Sequence, residues 1–193
     1  MRLSRSSLCV LASSMLLGGV ASAQTTVQST VSAVPTASAA VAGAITISVG
    51  RGATQTLSSV VDNAPNAFPS PVSITLTWDL LPQTGSVQVL GYFANPAAAM
   101  TSGSVSIPSS WLKGRVLTAG AQSAPTMYTA FAQNGSGGVG TAGGSLLLFS
   151  QPILGYSKTG TRTVDLDLQL DLTGRTLAAG SYSGTLNIRA VSQ

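Results

Sequence analysis

Thr163–Leu172 reads TVDLDLQLDL, and every second residue from Val164 through Leu166, Leu168 and Leu170 to Leu172 is apolar. Strict alternation puts successive side chains on opposite faces of an extended chain, so this stretch predicts a long β-strand with one apolar face. The other face holds Asp165, Asp167 and Asp171, three of the five carboxylates in the 193-residue chain. A catalytic and a structural reading compete for them. In a strand, Asp165 and Asp167 point to the same side about 6.7 Å apart, a separation that an inverting glycosidase uses for its acid and base. Calcium also takes carboxylate oxygens, but neighbouring aspartates on one strand supply too few converging ligands without loop carbonyls. The structural reading has the leucines facing a core, while the carboxylates face water and deter the strand from pairing with other chains. It accounts for the leucines as well as the aspartates, and we carry it forward.

The same period of two recurs outward from this stretch. Ile45, Ile47 and Val49 form one row, Val72, Ile74, Leu76 and Trp78 a second, and Val87, Val89 and Gly91 a third. Further strands are expected at Met127–Ala132, Ser145–Phe149 and Ser181–Val191. Turn-forming clusters such as Asp62-Asn63-Ala64-Pro65-Asn66 and Phe68-Pro69-Ser70-Pro71 separate them. No sustained helical period is present; Asn95–Met100 and Ser109–Leu112 are each long enough for one helical turn. Many short strands with few charges predict a single all-β domain over 44–193, an immunoglobulin-like antiparallel β-sandwich.

The N-terminus has a different character. Arg2 and Arg5 precede the apolar run Leu8–Val20 and the small residues Ala21-Ser22-Ala23, the pattern of a secretory signal peptide over residues 1–23. That run is too short to span a bilayer comfortably, and no later segment is apolar enough to do so. Residues 24–43 carry no charge and no large apolar group, which predicts an extended, flexible N-terminal arm. Val27, Ser29, Val31 and Ala33 nevertheless alternate, so the arm has the pattern to add as a strand to a neighbour's open sheet edge.

Composition excludes much chemistry. The chain has no histidine, and its single cysteine, Cys9, lies in the leader. Ser-His-Asp triads, cysteine nucleophiles and the usual zinc sites are thereby removed, and no cofactor or metal is expected. Seven cations are scattered from Arg51 to Arg189 without a patch, against the clustered Lys and Arg of nucleic-acid binders. Without disulfides, apolar burial must hold the domain together.

Gly138-Val139-Gly140-Thr141-Ala142-Gly143 fits the dinucleotide pattern G-x-G-x-x-G, but a strand candidate follows it in place of the required helix, so it reads as a flexible loop. Ser110-Trp111-Leu112-Lys113 and Lys158-Thr159-Gly160 match two motifs of penicillin-binding proteins; the third motif, Ser-x-Asn, is absent. Asn134-Gly135-Ser136 is a glycosylation sequon if the host is eukaryotic. Trp78 reads as a core anchor, whereas Trp111, Tyr92 and Tyr128 are the aromatic candidates for stacking on a sugar.

The C-terminal segment Ala179-Gly180-Ser181-Tyr182-Ser183-Gly184-Thr185-Leu186-Asn187-Ile188-Arg189-Ala190 resembles the closing strand of secreted bacterial β-sandwich proteins of the fimbrial-subunit and spore-coat-U type. In them a Gly-x-Tyr-x-Gly turn leads into an alternating last strand. The resemblance implies export to the periplasm, cell surface or medium, an edge-exposed sandwich, and assembly with like subunits by strand addition. Two departures stand against a dedicated chaperone and usher: no disulfide is possible, and the chain ends Ala190-Val191-Ser192-Gln193 without an aromatic. The expectation is an exported, non-enzymatic surface or fimbria-like structural subunit. A carbohydrate-binding or adhesive module is the alternative, and a glycosidase using Asp165 and Asp167 the remote one.

Overall fold

The computed structural model describes residues 25–33, 43–80, 85–118, 120–154 and 159–193. The expected leader and Lys158 lie outside them. Among the described residues, thirteen strands run in chain order as β1 Thr26–Ala33, β2 Gly43–Val49, β3 Thr54–Leu57, β4 Pro65–Ala67, β5 Val72–Leu80, β6 Gly85–Tyr92, β7 Met100–Ser102, β8 Val105–Ile107, β9 Leu112–Val116, β10 Thr129–Ala130, β11 Ser145–Ile153, β12 Thr159–Asp171 and β13 Ser181–Ser192. They form two packed sheets. The first has the order β11-β6-β13-β1-β3, with β7 and β8 hooked onto β13; the second runs β10-β9-β12-β5-β2, with β4 beside one end of β12. The chain is an all-β sandwich.

Its core is built by the alternating rows. Val164, Leu166, Leu168, Leu170 and Leu172 are all buried, as are Val72, Ile74, Leu76, Trp78 and Leu80 on the neighbouring β5. Tyr182, Leu186, Ile188 and Ala190 of β13 and Val87 and Val89 of β6 supply the facing layer within the same cluster. Each fully buried leucine or valine contributes about 1.5–3 kcal/mol, so these rows dominate the stability of a chain with no disulfide. The two expected helical turns are 3₁₀ turns at Pro96–Ala98 and Ser109–Trp111.

The Gly-x-Tyr-x-Gly element has a packing reason. Tyr182 is buried, and its hydroxyl donates to Ala178 O at 2.9 Å, tying the turn to the start of β13. Gly184 lies beneath the 99–102 segment, where a Cβ would collide with Ala99 O and Met100 Cγ. A bare backbone there lets β7 dock on β13.

The fold differs from expectation in three places. Residues 26–33 of the expected flexible arm are a strand inside the first sheet, and residues 34–42 lie outside the described residues. The sandwich is also not wholly antiparallel, because β1 pairs with β13 in parallel. A parallel pair cannot be closed by a tight turn, and here nearly the whole domain serves as the connection. Finally, the strand expected over Met127–Ala132 shortens to β10, because Phe131 turns inward and packs edge-on against Phe93, ring centroids 5.3 Å apart.

Candidate functional site

Two regions bring together the residues that the sequence singles out. The first is the outward face of β9 and β12. Their antiparallel register sets Asp167 directly opposite Arg115 and Gln169 opposite Lys113. Arg115 donates from Nη2 at 2.9 Å and from Nε at 3.1 Å to Asp167 Oδ2, and Tyr128 Oη donates to the same oxygen at 2.6 Å. The Arg115 guanidinium also lies 4.5 Å from the Tyr128 ring centroid. Burial, and then the hydrogen bond to Asp167, push the Tyr128 phenol up to about 12.

One step along the ladder, Lys113 Nζ is 2.6 Å from Asp171 Oδ2. Asp171 Oδ1 accepts from Thr173 N at 3.0 Å and from Thr173 Oγ1 at 2.6 Å. Lys113 and then Thr173 hold the Asp171 carboxyl well below the usual carboxylate range. Beyond it Arg175 covers the Trp111 ring at 4.9 Å.

Asp167 and Asp171, two of the three carboxylates of β12, are therefore partners of β9 cations more than a free acidic face, while Asp165 is tied to Thr118 and Leu117 through its backbone. An inverting glycosidase needs one carboxyl free to give a proton and another free to activate water. Asp167 Oδ2 is filled by three donor atoms from Arg115 and Tyr128. Among the described residues, no group of three metal-binding side chains comes together. Lys113 of the S-x-x-K match is held by Asp171, and Ser110 is exposed beside it in the 3₁₀ turn. The G-x-G-x-x-G match leads into β11, with Val139 buried and paired with Ser136 through reciprocal 2.9 Å backbone bonds; it is a pinned turn and not a phosphate cradle.

The aromatic candidates do not form one platform. Tyr92 belongs to β6 in the first sheet, whereas Tyr128 and Trp111 flank β9 in the second. One face of each of the latter two rings is covered by an arginine. Trp78 is buried, as a core anchor should be.

The second region is the slot that β1 fills between β13 and β3. Its register pairs Val27 with Tyr182 and Val31 with Leu186 on one side, and Ser29 with Gln55 on the other. Thr26 N donates to Gly180 O at 3.0 Å and Val31 N to Ala53 O at 2.7 Å. Val27, Ser29 and Val31 face inward and are buried. The middle of this row is polar: Gln55 is 3% exposed, its Oε1 accepts a long 3.4 Å bond from Ser70 N, and its buried Nε2 has no partner. A buried donor left unpaired costs about 1–3 kcal/mol. The alternation of Val27, Ser29 and Val31 marks the strand in the sequence, but the slot that receives it is not legible there, because Gln55 reads as a surface residue and β1 has no large side chain.

No helix among the described residues is long and apolar enough to cross a membrane. No protein-family model matches the chain, and a search of curated proteins returns no relative.

Proposed function

We propose that this protein is an exported, non-enzymatic surface subunit that assembles with copies of itself by exchange of the β1 strand. The observation that carries the reading is the slot between β13 and β3. β1 is an N-terminal strand that supplies two valines and a serine to the sandwich and leaves the Gln55 amide unpaired beneath it. Such a strand is modestly held, and its chemistry, backbone bonds plus alternate side-chain pockets, is the chemistry of strand addition. Exchange that passes β1 always to the next copy is head-to-tail, and it makes a fibre where the rotation between copies does not close a ring. The signal-peptide pattern and the scarcity of charge agree with a surface building block.

Removal of residues 24–33 tests the reading. The truncated chain should lose stability, bind a synthetic peptide of residues 24–33, and recover its melting temperature on binding. A truncated chain with unchanged stability and no affinity for the peptide contradicts it.

A second reading, an adhesive module for neutral sugars, draws on a groove of about 310 Å³ beside β13. Asn95, Thr101, Thr185 and Asn187 line it, and none of its lining residues is charged. Neutral hydroxyl and amide groups over a small apolar floor suit a saccharide better than an anion. A glycan array read with the labelled protein and with Asn187→Ala tests it: binding to neutral glycans that the substitution abolishes supports the reading, and an empty array rejects it.

A further inference from the structure

Among the described residues the second sheet ends on β2, and the pairing of β2 with β5 fixes where its backbone groups point. Gly50 N donates to Ser73 O at 2.9 Å and Ser73 N donates to Arg51 O at 2.8 Å, so Gly50 and Arg51 together oppose Ser73 in a bulge that occupies a hydrogen-bonded position of the ladder. Such positions alternate along an antiparallel ladder, so Ser48, Thr46 and Ala44 bond to Thr75, Thr77 and Asp79. Ile45, Ile47 and Val49 then turn their N–H and C=O groups away from the sheet. The next ladder agrees: alternation makes Thr75 and Thr163 a non-hydrogen-bonded pair, where side chains are closest, and their hydroxyls are 2.9 Å apart.

Proteins protect exposed edges with charge, proline, bulges or brevity. β11 has Pro152, a bulge between Leu147 and Phe149, and bridges from Gln122 and Gln133. β3, β4, β8 and β10 are two to four residues long. Within its seven residues, GAITISV, β2 has none of these devices, being uncharged and without proline; the bulge at Gly50-Arg51 and the Arg51 charge lie just beyond its end.

We infer that β2 is a self-association edge, on which a second copy of this chain pairs its own β2 antiparallel about a two-fold axis at Thr46. This is independent of β1 exchange. Symmetry selects the occupant. About that axis Thr46 meets Thr46 of the other copy, Ile45 meets Ile47 and Gly43 meets Val49, so every outward backbone group meets another outward group. The buried isoleucine rows stay on one face of the joined sheet. The exposed rows Thr46-Thr77-Thr161 and Ser48-Thr75-Thr163 continue across the other. The strand has no charge to repel its copy, and a two-fold contact closes without further growth. Two six-stranded sheets thereby become one of twelve strands.

The test uses Thr46→Cys in a Cys9→Ala background, which leaves one thiol, together with Thr46→Lys. Thr46 is exposed, and in the proposed dimer the Cβ atoms at position 46 of the two copies belong to a non-hydrogen-bonded pair about 4.5–5.5 Å apart, near disulfide distance. Light scattering on the freshly folded chain, before any exchange of β1 between copies, should give a dimer for the wild type and a monomer for Thr46→Lys with the same circular dichroism. Mild oxidation should lock Thr46→Cys as a covalent dimer, while Thr77→Cys, exposed but inside the sheet, stays monomeric. A monomeric wild type, a dimer that persists in Thr46→Lys, or equal cross-linking at positions 46 and 77 each overturns the proposal.

Discussion

Arg115 and Asp167 stand directly opposite one another in the β9–β12 ladder, and the guanidinium donates two hydrogen bonds to a single carboxylate oxygen that also receives the Tyr128 hydroxyl. Asp167 and Asp171 of TVDLDLQLDL thus belong to cross-strand ion pairs, and the inward leucines to the core. The two faces of one strand should answer very differently to substitution. Leu168→Asp puts an unpaired charge into a site 4% exposed and should unfold a domain whose total stability is on the order of 5–15 kcal/mol. Asp167→Asn removes a partly exposed ion pair and should cost about 1 kcal/mol or less. Urea titration followed by circular dichroism ranks the two; the reverse order contradicts this account of the strand.

Asp171 gives an acid dependence. Its carboxyl is held low in the folded state, chiefly by Lys113, so the stability it contributes is present above the ordinary carboxylate range, about 4, and is lost as pH falls toward the folded value. Lys113→Met should therefore lower the melting temperature at neutral pH, and the difference from wild type should shrink as the solution is acidified below pH 4. A difference independent of pH assigns the role of Lys113 to its alkyl chain.

Tyr128 gives the alkaline counterpart. Its pKa is raised to about 12, so the folded state keeps the phenol proton when the unfolded chain has lost it. The stabilisation is full below pH 10 and disappears as pH rises from 10 through 12. Ultraviolet titration of phenolate should show a tyrosine ionising near pH 12, and Tyr128→Phe should remove that step. The burial of Tyr182 raises its pKa as well and leaves its own late step in both proteins.

Gly114 faces inward on β9, where a Cβ would come within 3.1–3.3 Å of Leu166, Leu146 and Phe131. Gly114→Val should overpack the end of the sandwich and cost about 1–3 kcal/mol, read as a lower urea midpoint with an unchanged slope.

The unpaired Gln55 amide predicts a gain. Gln55→Met replaces it with an apolar chain of similar length and gives up only the long bond from Ser70. We expect about 1 kcal/mol of added stability, by the reasoning that an unmet buried donor is worse than none. Tighter holding of β1 should also slow any exchange of that strand, which a subunit-mixing time course measures.

What the sequence makes legible is the set of strands whose inward row is large and apolar. β5, β12 and β13 bury the alternating residues that the pattern marks; β5 and β13 end two and one residues later than expected, whereas β12 starts four residues early, at Thr159, and ends at Asp171. β9 escapes notice because its inward row is Leu112, Gly114 and Val116, whose central glycine carries no hydropathy signal, and because S-x-x-K draws attention to a helical turn there. β1 and β3 fail for the same reason from the two sides of one ladder. Ser29 and Gln55 are buried by their neighbours, not by their own character. The ion-pair face is hidden too, since Arg115 and Asp167 are 52 positions apart and only the register brings them together. The even spacing of Lys113 and Arg115, which like that of Asp167 and Asp171 puts both on one strand face, is the one signal that could have suggested it.

Exchange of β1 is the central functional claim, and one cross-linking experiment addresses it without ambiguity. Gln28 of β1 and Ser183 of β13 are adjacent in the parallel register, and both are exposed. In a Cys9→Ala background, Gln28→Cys and Ser183→Cys are made as two separate proteins, mixed, allowed to assemble and oxidised. Neither protein can form the bond within itself. The account predicts disulfide-linked heterodimers in clear excess over both homodimers, because β1 of one copy lies in the slot of the other. Heterodimers no more abundant than random collision produces would show that β1 stays in its own sheet, and would contradict assembly by strand exchange.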